Sequence, residues 1–193
     1  MQRPSKEEIR LLPPYQGLSL ENISLVETEH DAQQALAILS AQVSVGFDTE
    51  SKPMFRKGEV SPGPVLIQLA TEHQGFLFSR RFPAAMAAVA QILANPDIQK
   101  IGFGLKDDKK ELRNKLAIDI ENTKDLSITL KHLVGEKNSI GARAGVAMVL
   151  KTRLSKGAQR SNWARYPLKK EQILYAANDA HCAICIELAL QNS

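Results

Sequence analysis

The sequence predicts an α/β fold in which a mixed β-sheet is flanked by α-helices. Three observations carry this. Short apolar, β-branched and aromatic runs (VSVGFDTE, VLIQLAT, GFLFS) crowd the first half of the chain, and helical patterns alternate with the later strands. The 193 residues, 44% hydrophobic and 24% charged, suit one globular domain able to bury a sizeable core. No internal repeat is visible.

Taken in order, residues 1–20 carry Pro4, Pro13, Pro14 and Gly17 and read as an N-terminal arm, with the domain itself over 21–193. Residues 23–26 suit a first strand. Residues 31–41 (DAQQALAILSA) suit an amphipathic helix opened by Asp31 or Thr28. Residues 43–50 read as a buried strand, 56–64 as a Gly- and Pro-rich loop, and 65–71 and 75–79 as the next two strands of a meander. Pro83 can open a helix that Asn95-Pro96 stops. Residues 98–105 return to strand, and 107–116 form a charged helix. A short strand is expected near 118–120, with helices over 126–134 and 142–151. A basic, polar stretch (152–167) leads to a last helix over about 168–190.

The formal charge of +4 is a mild basic bias, compatible with a polyanionic partner. The first 18 residues hold no continuous apolar stretch, and the longest apolar run, 84–93, is too short to span a bilayer. A cytoplasmic location without a membrane partner is therefore expected; no oligomeric state is indicated. The only cysteines, Cys182 and Cys185, could form a redox pair or half a zinc site. No second pair exists, and their spacing falls within a helical pattern, so they read as core residues.

The chemistry concentrates in acidic residues. Asp48 and Glu50 are two apart in a strand, so both point to one face. Alone, such a pair is often just a solvated strand end. Asp108 follows another apolar strand near a helix start, where an acid can simply offset the helix dipole, as Asp107 could equally. Tyr175 and Asp179 are four apart on the last helix and share a face. Asp179 interrupts an apolar run (YAANDAHCAICIEL), where a carboxylate is costly unless paired or metal-bound. Acids on separate elements without a His or Cys cluster suit hard cations such as Mg²⁺ or Mn²⁺, and two such ions can neutralise the transition state of phosphodiester hydrolysis.

Three segments, GFDTE (46–50), IGFGLKDD (101–108) and SNWARYPLKKEQILYAANDA (161–180), occur in the order seen in a known family. The chain resembles the 3′–5′ exonucleases of the RNase D and Werner-syndrome-exonuclease type, in the branch with four acids and a tyrosine, and is most similar to its Werner-like members. The resemblance covers roughly residues 20–190. It implies a ribonuclease H-like fold and two divalent cations, Mg²⁺ or Mn²⁺, held by Asp48, Glu50, Asp108 and Asp179. It also implies that Tyr175 orients the attacking water and that the substrate is a DNA or RNA 3′ end. The resemblance implies Asp108 rather than Asp107 as the ligand, because its spacing from Gly102-Phe103-Gly104 fits the family better. A binding module that kept the fold without the chemistry is the alternative, as is an enzyme of RNA maturation.

Basic residues flank these segments. Lys156, Arg160 and Arg165 surround Ser161-Asn162-Trp163 and are the expected phosphate contacts. Met54 and Phe55 follow the first acidic strand and could wedge against terminal bases. Phe103 and Trp163 read as packing residues, and His181 is given no catalytic role.

Overall fold

The computed structural model describes residues 2–54, 59–155 and 157–192. Its core is a six-stranded sheet: β1 (Ile23–Val26), β2 (Ser44–Ser51), β3 (Pro64–Ala70), β4 (Gly75–Ser79), β5 (Gln99–Gly102) and β6 (Thr123–Asp125), in the order β1-β4-β3-β2-β5-β6. β3 pairs antiparallel with β2 and β4, and the other pairings are parallel, so β3 alone runs against the rest. This is the mixed sheet the sequence predicts.

Among the described residues, seven α-helices accompany it: α1 (Lys6–Leu11), α2 (Glu29–Ser40), α3 (Pro83–Ala94), α4 (Leu105–Glu111), α5 (Leu126–Val134), α6 (Ala142–Val149) and α7 (Lys170–Gln191). α2 and α3 cover one face, where Leu39, Phe47, Phe78 and Val89 pack in the largest core cluster. α7 covers the other face, where Ala176 and Ala177 meet Leu66 and Leu77. By length and composition α7 could cross a bilayer, but here half of its apolar window is buried inside the fold. The run-length reading did not anticipate such a span.

Several local expectations shift. Residues 6–11 form a helix within the expected arm, closed by a capping box in which Ser5 and Glu8 bond each other's backbone amides. Thr28 is the N-cap of α2, and Asp31 completes its capping box three residues later. The strand expected near 118–120 forms at Thr123–Asp125 instead. Ile118 and Ile120 are buried beneath the sheet as core residues, while pairing with β5 begins at Thr123. The charged helix after β5 begins at Leu105 and ends in a π-helical turn over Leu112–Leu116.

Candidate active site

β2 presents Gly46, Asp48 and Glu50 on one face, and α7 lies across that face. A Cβ on Gly46 would sit 2.0 Å from the Ala180 carbonyl oxygen, so α7 rests on bare β2 backbone. That close approach carries Asp179, one residue earlier, down to Asp48. One carboxylate oxygen each from Asp48, Glu50 and Asp179 lie within 4.8 Å of one another. Buried alanines fix the rotation of α7 about its axis, so Tyr175 and Asp179 flank its sheet-facing side.

Asp108 arrives from α4. The Asp125 carboxylate accepts hydrogen bonds from the amides of Gly104 and Leu105, both at 3.0 Å, and so holds the first turn of that helix in place. The Thr49 hydroxyl, on the opposite face of β2 from Asp48, donates to Asp108 at 2.5 Å. Asp108 thus stands beside the cluster, close enough to act on Asp48 and Glu50 electrostatically, while the three converging carboxylates are Asp48, Glu50 and Asp179. Neither Thr49 nor Asp125 was singled out in the sequence. Asp125 as an Asx-type N-cap of α5 was the available signal.

Burial raises the proton affinity of all four acids, and neighbouring site carboxylates add to it at Asp48 and Glu50. Burial, then the charges of Asp179, Asp108 and Glu50, push Asp48 well above the usual carboxylate range. Burial and the charges of Asp179 and Asp108 push Glu50 up to about 8. Burial pushes Asp179 up to about 7, opposed by a hydrogen bond from Tyr175 and by the Arg143 charge. Burial likewise raises Asp108, opposed by its bond from Thr49. Tyr175 is driven far above its ordinary value by burial and by Asp179, so its phenol stays protonated at every physiological pH. At Asp48 and Glu50, where neighbouring carboxylates add to burial, a bound cation would relieve the repulsion. The donors are all carboxylate oxygens on separate elements, the set a hard divalent cation prefers, so the residues fit such an ion.

The cluster opens into a cavity of about 460 Å³, whose lining includes Asp48, Asp179, Tyr175, Phe103, Arg143 and Gln159. Phe103 also packs against Gly145, so it is both a core residue and a wall of the cavity. Trp163 is buried 6.0 Å from the Tyr175 ring and backs it, in keeping with a packing role. Cys182 is buried and Cys185 half-buried, both as free thiols on α7.

The expected substrate contacts scatter. Arg165 lines a separate cavity with Leu25, Arg81 and Tyr166, which contains none of the four acids. Arg160 is exposed next to Gln159, and Met54 is half-buried just past β2. Phe55 and Lys156 lie outside the described residues. Arg143, whose charge acts on Asp179 from the first turn of α6, was missed. It is a lone Arg in an apolar helix (ARAGVAMV), and only the packing of α6 on α7 brings it to the site.

With this geometry established, the comparisons with known proteins agree. A family profile described as 3′–5′ exonuclease matches residues 23–193. The chain belongs to that family. It is 32% identical over 197 residues to the Exonuclease mut-7 homolog of Homo sapiens, covering 88% of this chain and 22% of that protein. It is 29% identical over 154 residues to the bifunctional 3′–5′ exonuclease/ATP-dependent helicase of Mus musculus, covering 77% of this chain and 11% of that protein. The crystal structure of the Aedes aegypti Nibbler EXO domain superposes with a TM-score of 0.79 at 27% identity, over 91% of this chain and 89% of that one. The fold is thus the ribonuclease H-like one the resemblance implies. The chain spans less than a quarter of the length of each of these two curated relatives. The mut-7-type protein is at least as similar as the Werner-type one, so the similarity supports the family more than its Werner-like branch.

Proposed function

We propose that this chain removes nucleotides one at a time from the 3′ end of a nucleic acid, hydrolysing phosphodiester bonds to nucleoside 5′-monophosphates. Asp48, Glu50, Asp108 and Asp179 would together hold two divalent cations, Mg²⁺ or Mn²⁺. The observation that carries this reading is the convergence of the Asp48, Glu50 and Asp179 carboxylates within 4.8 Å, with Asp48 and Asp179 lining a cavity, in a chain of the 3′–5′ exonuclease family.

The cations would supply charge neutralisation at the phosphoryl oxygens and a lowered pKa for water. The protein's own part is orientation. Asp48 and Glu50 come from one strand face and Asp179 from the helix resting on it, so the carboxylates converge before any substrate arrives. Asp108 stands ready on the other side, its orientation set by Thr49. Tyr175, kept protonated and donating its one proton to Asp179, accepts a hydrogen bond from the attacking water and is no general base. Arg143 provides a positive charge beside Asp179, where the negative phosphate would enter.

Side-by-side digestion of labelled single-stranded DNA, recessed duplex DNA and RNA, with Mg²⁺, Mn²⁺ or excess chelator, tests the reading. A ladder shortening from the 3′ end with metal, and none with chelator, is expected. Full digestion in excess chelator would overturn it.

A further inference from the structure

The cavity at the acid cluster continues outward into a second one of about 560 Å³, and the two share Lys6, Ile9, Arg143, Leu154 and Ser155 along their walls. Charge is sorted along this joint groove. Its inner end holds Asp48 and Asp179. Its outer length is lined by Lys6, Arg10, Arg143 and Arg153, with no carboxylate among the lining residues of the outer cavity. Arg3 stands over the inner part.

Helix α1 forms one side of the groove. Lys6 and Arg10 are four residues apart and, with Ile9 between them, all line it. The helix also carries Glu7 and Glu8, and neither lines either cavity; Glu8 is bonded to the Ser5 amide. Among the described residues, no carboxylate forms an ion pair with Arg3, Lys6 or Arg10. α1 is six residues long and has no buried residue, so neither intrinsic helix stability nor the core explains its placement.

What does hold it is the segment that follows. The Arg153 amide donates to the Pro13 carbonyl at 2.8 Å, and the Tyr15 amide donates to the Arg153 carbonyl at 3.0 Å. Arg153 Nε donates to the Leu12 carbonyl at 2.9 Å. His181 Nε2 meets the Glu72 carbonyl at 2.9 Å, and a carbonyl can only accept, so Nε2 carries the proton. Nδ1 is then the acceptor for the Tyr15 hydroxyl at 2.8 Å. Gly17 lets the Asn178 side chain lie against the backbone, where its Oδ1 takes the Leu18 amide at 2.7 Å. Asn178 and His181 sit on α7 beside Asp179, so the helix that carries the metal ligand also moors the segment bearing the cations.

We propose that residues 3–10, moored in this way, form a wall of a groove that binds the phosphate backbone of a single-stranded nucleic acid as it leads to the acid cluster. This rests on the exonuclease reading of that cluster. Unpaired Lys and Arg side chains along a groove bind phosphates without reading sequence, so the contact holds the strand upstream of its 3′ end and is indifferent to base identity.

The test is the double variant Lys6→Glu/Arg10→Glu, with Lys6→Gln/Arg10→Gln as a milder partner, each checked for an unchanged thermal melt. Binding of a labelled phosphorothioate 12-mer and of a trinucleotide is followed by fluorescence anisotropy across salt concentrations. Hydrolysis of the p-nitrophenyl ester of thymidine 5′-monophosphate, which engages the acid cluster alone, is followed in parallel. The Glu variant is expected to bind the 12-mer on the order of tenfold more weakly at low salt. Its slope of log affinity against log salt should be shallower by about 1.4, from two lost contacts at roughly 0.7 each. The Gln variant should lose less affinity, and in the single variant Arg10→Glu, whose side chain lines the outer cavity alone, trinucleotide binding and ester hydrolysis should stay as in the parent. Unchanged 12-mer affinity and slope would overturn the groove, as would a loss of ester hydrolysis as large as the loss of 12-mer binding. A parent that hydrolyses neither the ester nor an unmodified 12-mer with Mg²⁺ or Mn²⁺ would instead remove the exonuclease reading, and the salt-dependent binding would still decide the groove.

Discussion

Asp48, Glu50 and Asp179 are placed by packed backbone, with α7 resting on the bare backbone of β2 at Gly46 and buried alanines on the helix face below. Lys6 and Arg10 are exposed on a short helix with no buried residue, placed by a handful of hydrogen bonds from residues 12–18. The difference follows the chemistry. Mutually repelling carboxylates come together only if a core forces them to, because left alone they would move apart or take up protons. Cations that grip a flexible polyanion need only be near one surface, and remain hydrated until the strand arrives.

The largest expected effect breaks the forced side of this comparison. Asp179→Asn should lower the single-turnover rate of oligonucleotide digestion by more than roughly a thousandfold at saturating metal, since loss of a ligand exceeds the usual cost of one active-site hydrogen bond. The same change should stabilise the metal-free protein. Glu50 and Asp179 have folded pKa values raised to about 8 and about 7, so these groups favour the folded state most at pH values where they are protonated. That stability is fully present below their ordinary carboxylate values and is lost as pH rises through about 7 to 8. Melts without divalent ion from pH 5 to 9 should therefore show the variant gaining on the parent as pH rises, and adding Mg²⁺ should shrink the gap. A gap that widens toward low pH would show that the carboxylates are not in conflict.

Tyr175→Phe sharpens the comparison within the site. On the proposed mechanism it removes the hydrogen bond with the attacking water and the one to Asp179 but no carboxylate, so the rate should fall ten- to a hundredfold, from a loss of about 1–3 kcal/mol. Single-turnover digestion beside Asp179→Asn decides it. Equal inactivity of the two variants would give the phenol a chemical role, and parental activity would remove it from the mechanism.

The smallest effect is expected at the mooring. Asn178→Ala deletes the acceptor for the Leu18 amide and should cost about 1 kcal/mol of stability, read by denaturant melts. It should loosen residues 2–18, seen as faster amide hydrogen exchange there, while exchange in β2 and β3 stays slow. Equal loosening of the sheet would mean that the segment is part of the core rather than an attachment to it.

Much of the site was legible because its members are local pairs. Asp48 and Glu50 share a face by the two-residue period of a strand, and Tyr175 and Asp179 by the four-residue period of a helix. Those periods are properties of the backbone, and a carboxylate in an apolar run such as that around Asp179 stands out without any structure. The strand order was only partly visible: the β2–β3–β4 meander reads directly, whereas the crossovers that put β1 beside β4 and β6 beside β5 do not. Strand 118–120 was misplaced because burial, not pairing, drew in Ile118 and Ile120.

The α/β class, the acidic pairs and the family likeness are legible in the chain alone, since local periods and short segments in a fixed order carry them. Tertiary structure alone decided that Thr49 would hold Asp108, that Arg143 would face Asp179, and that Lys6 and Arg10 would line the groove to the acids. Those partners lie tens of residues or more apart in sequence, and long-range packing, which no local period encodes, sets which of the many exposed cations meet the site.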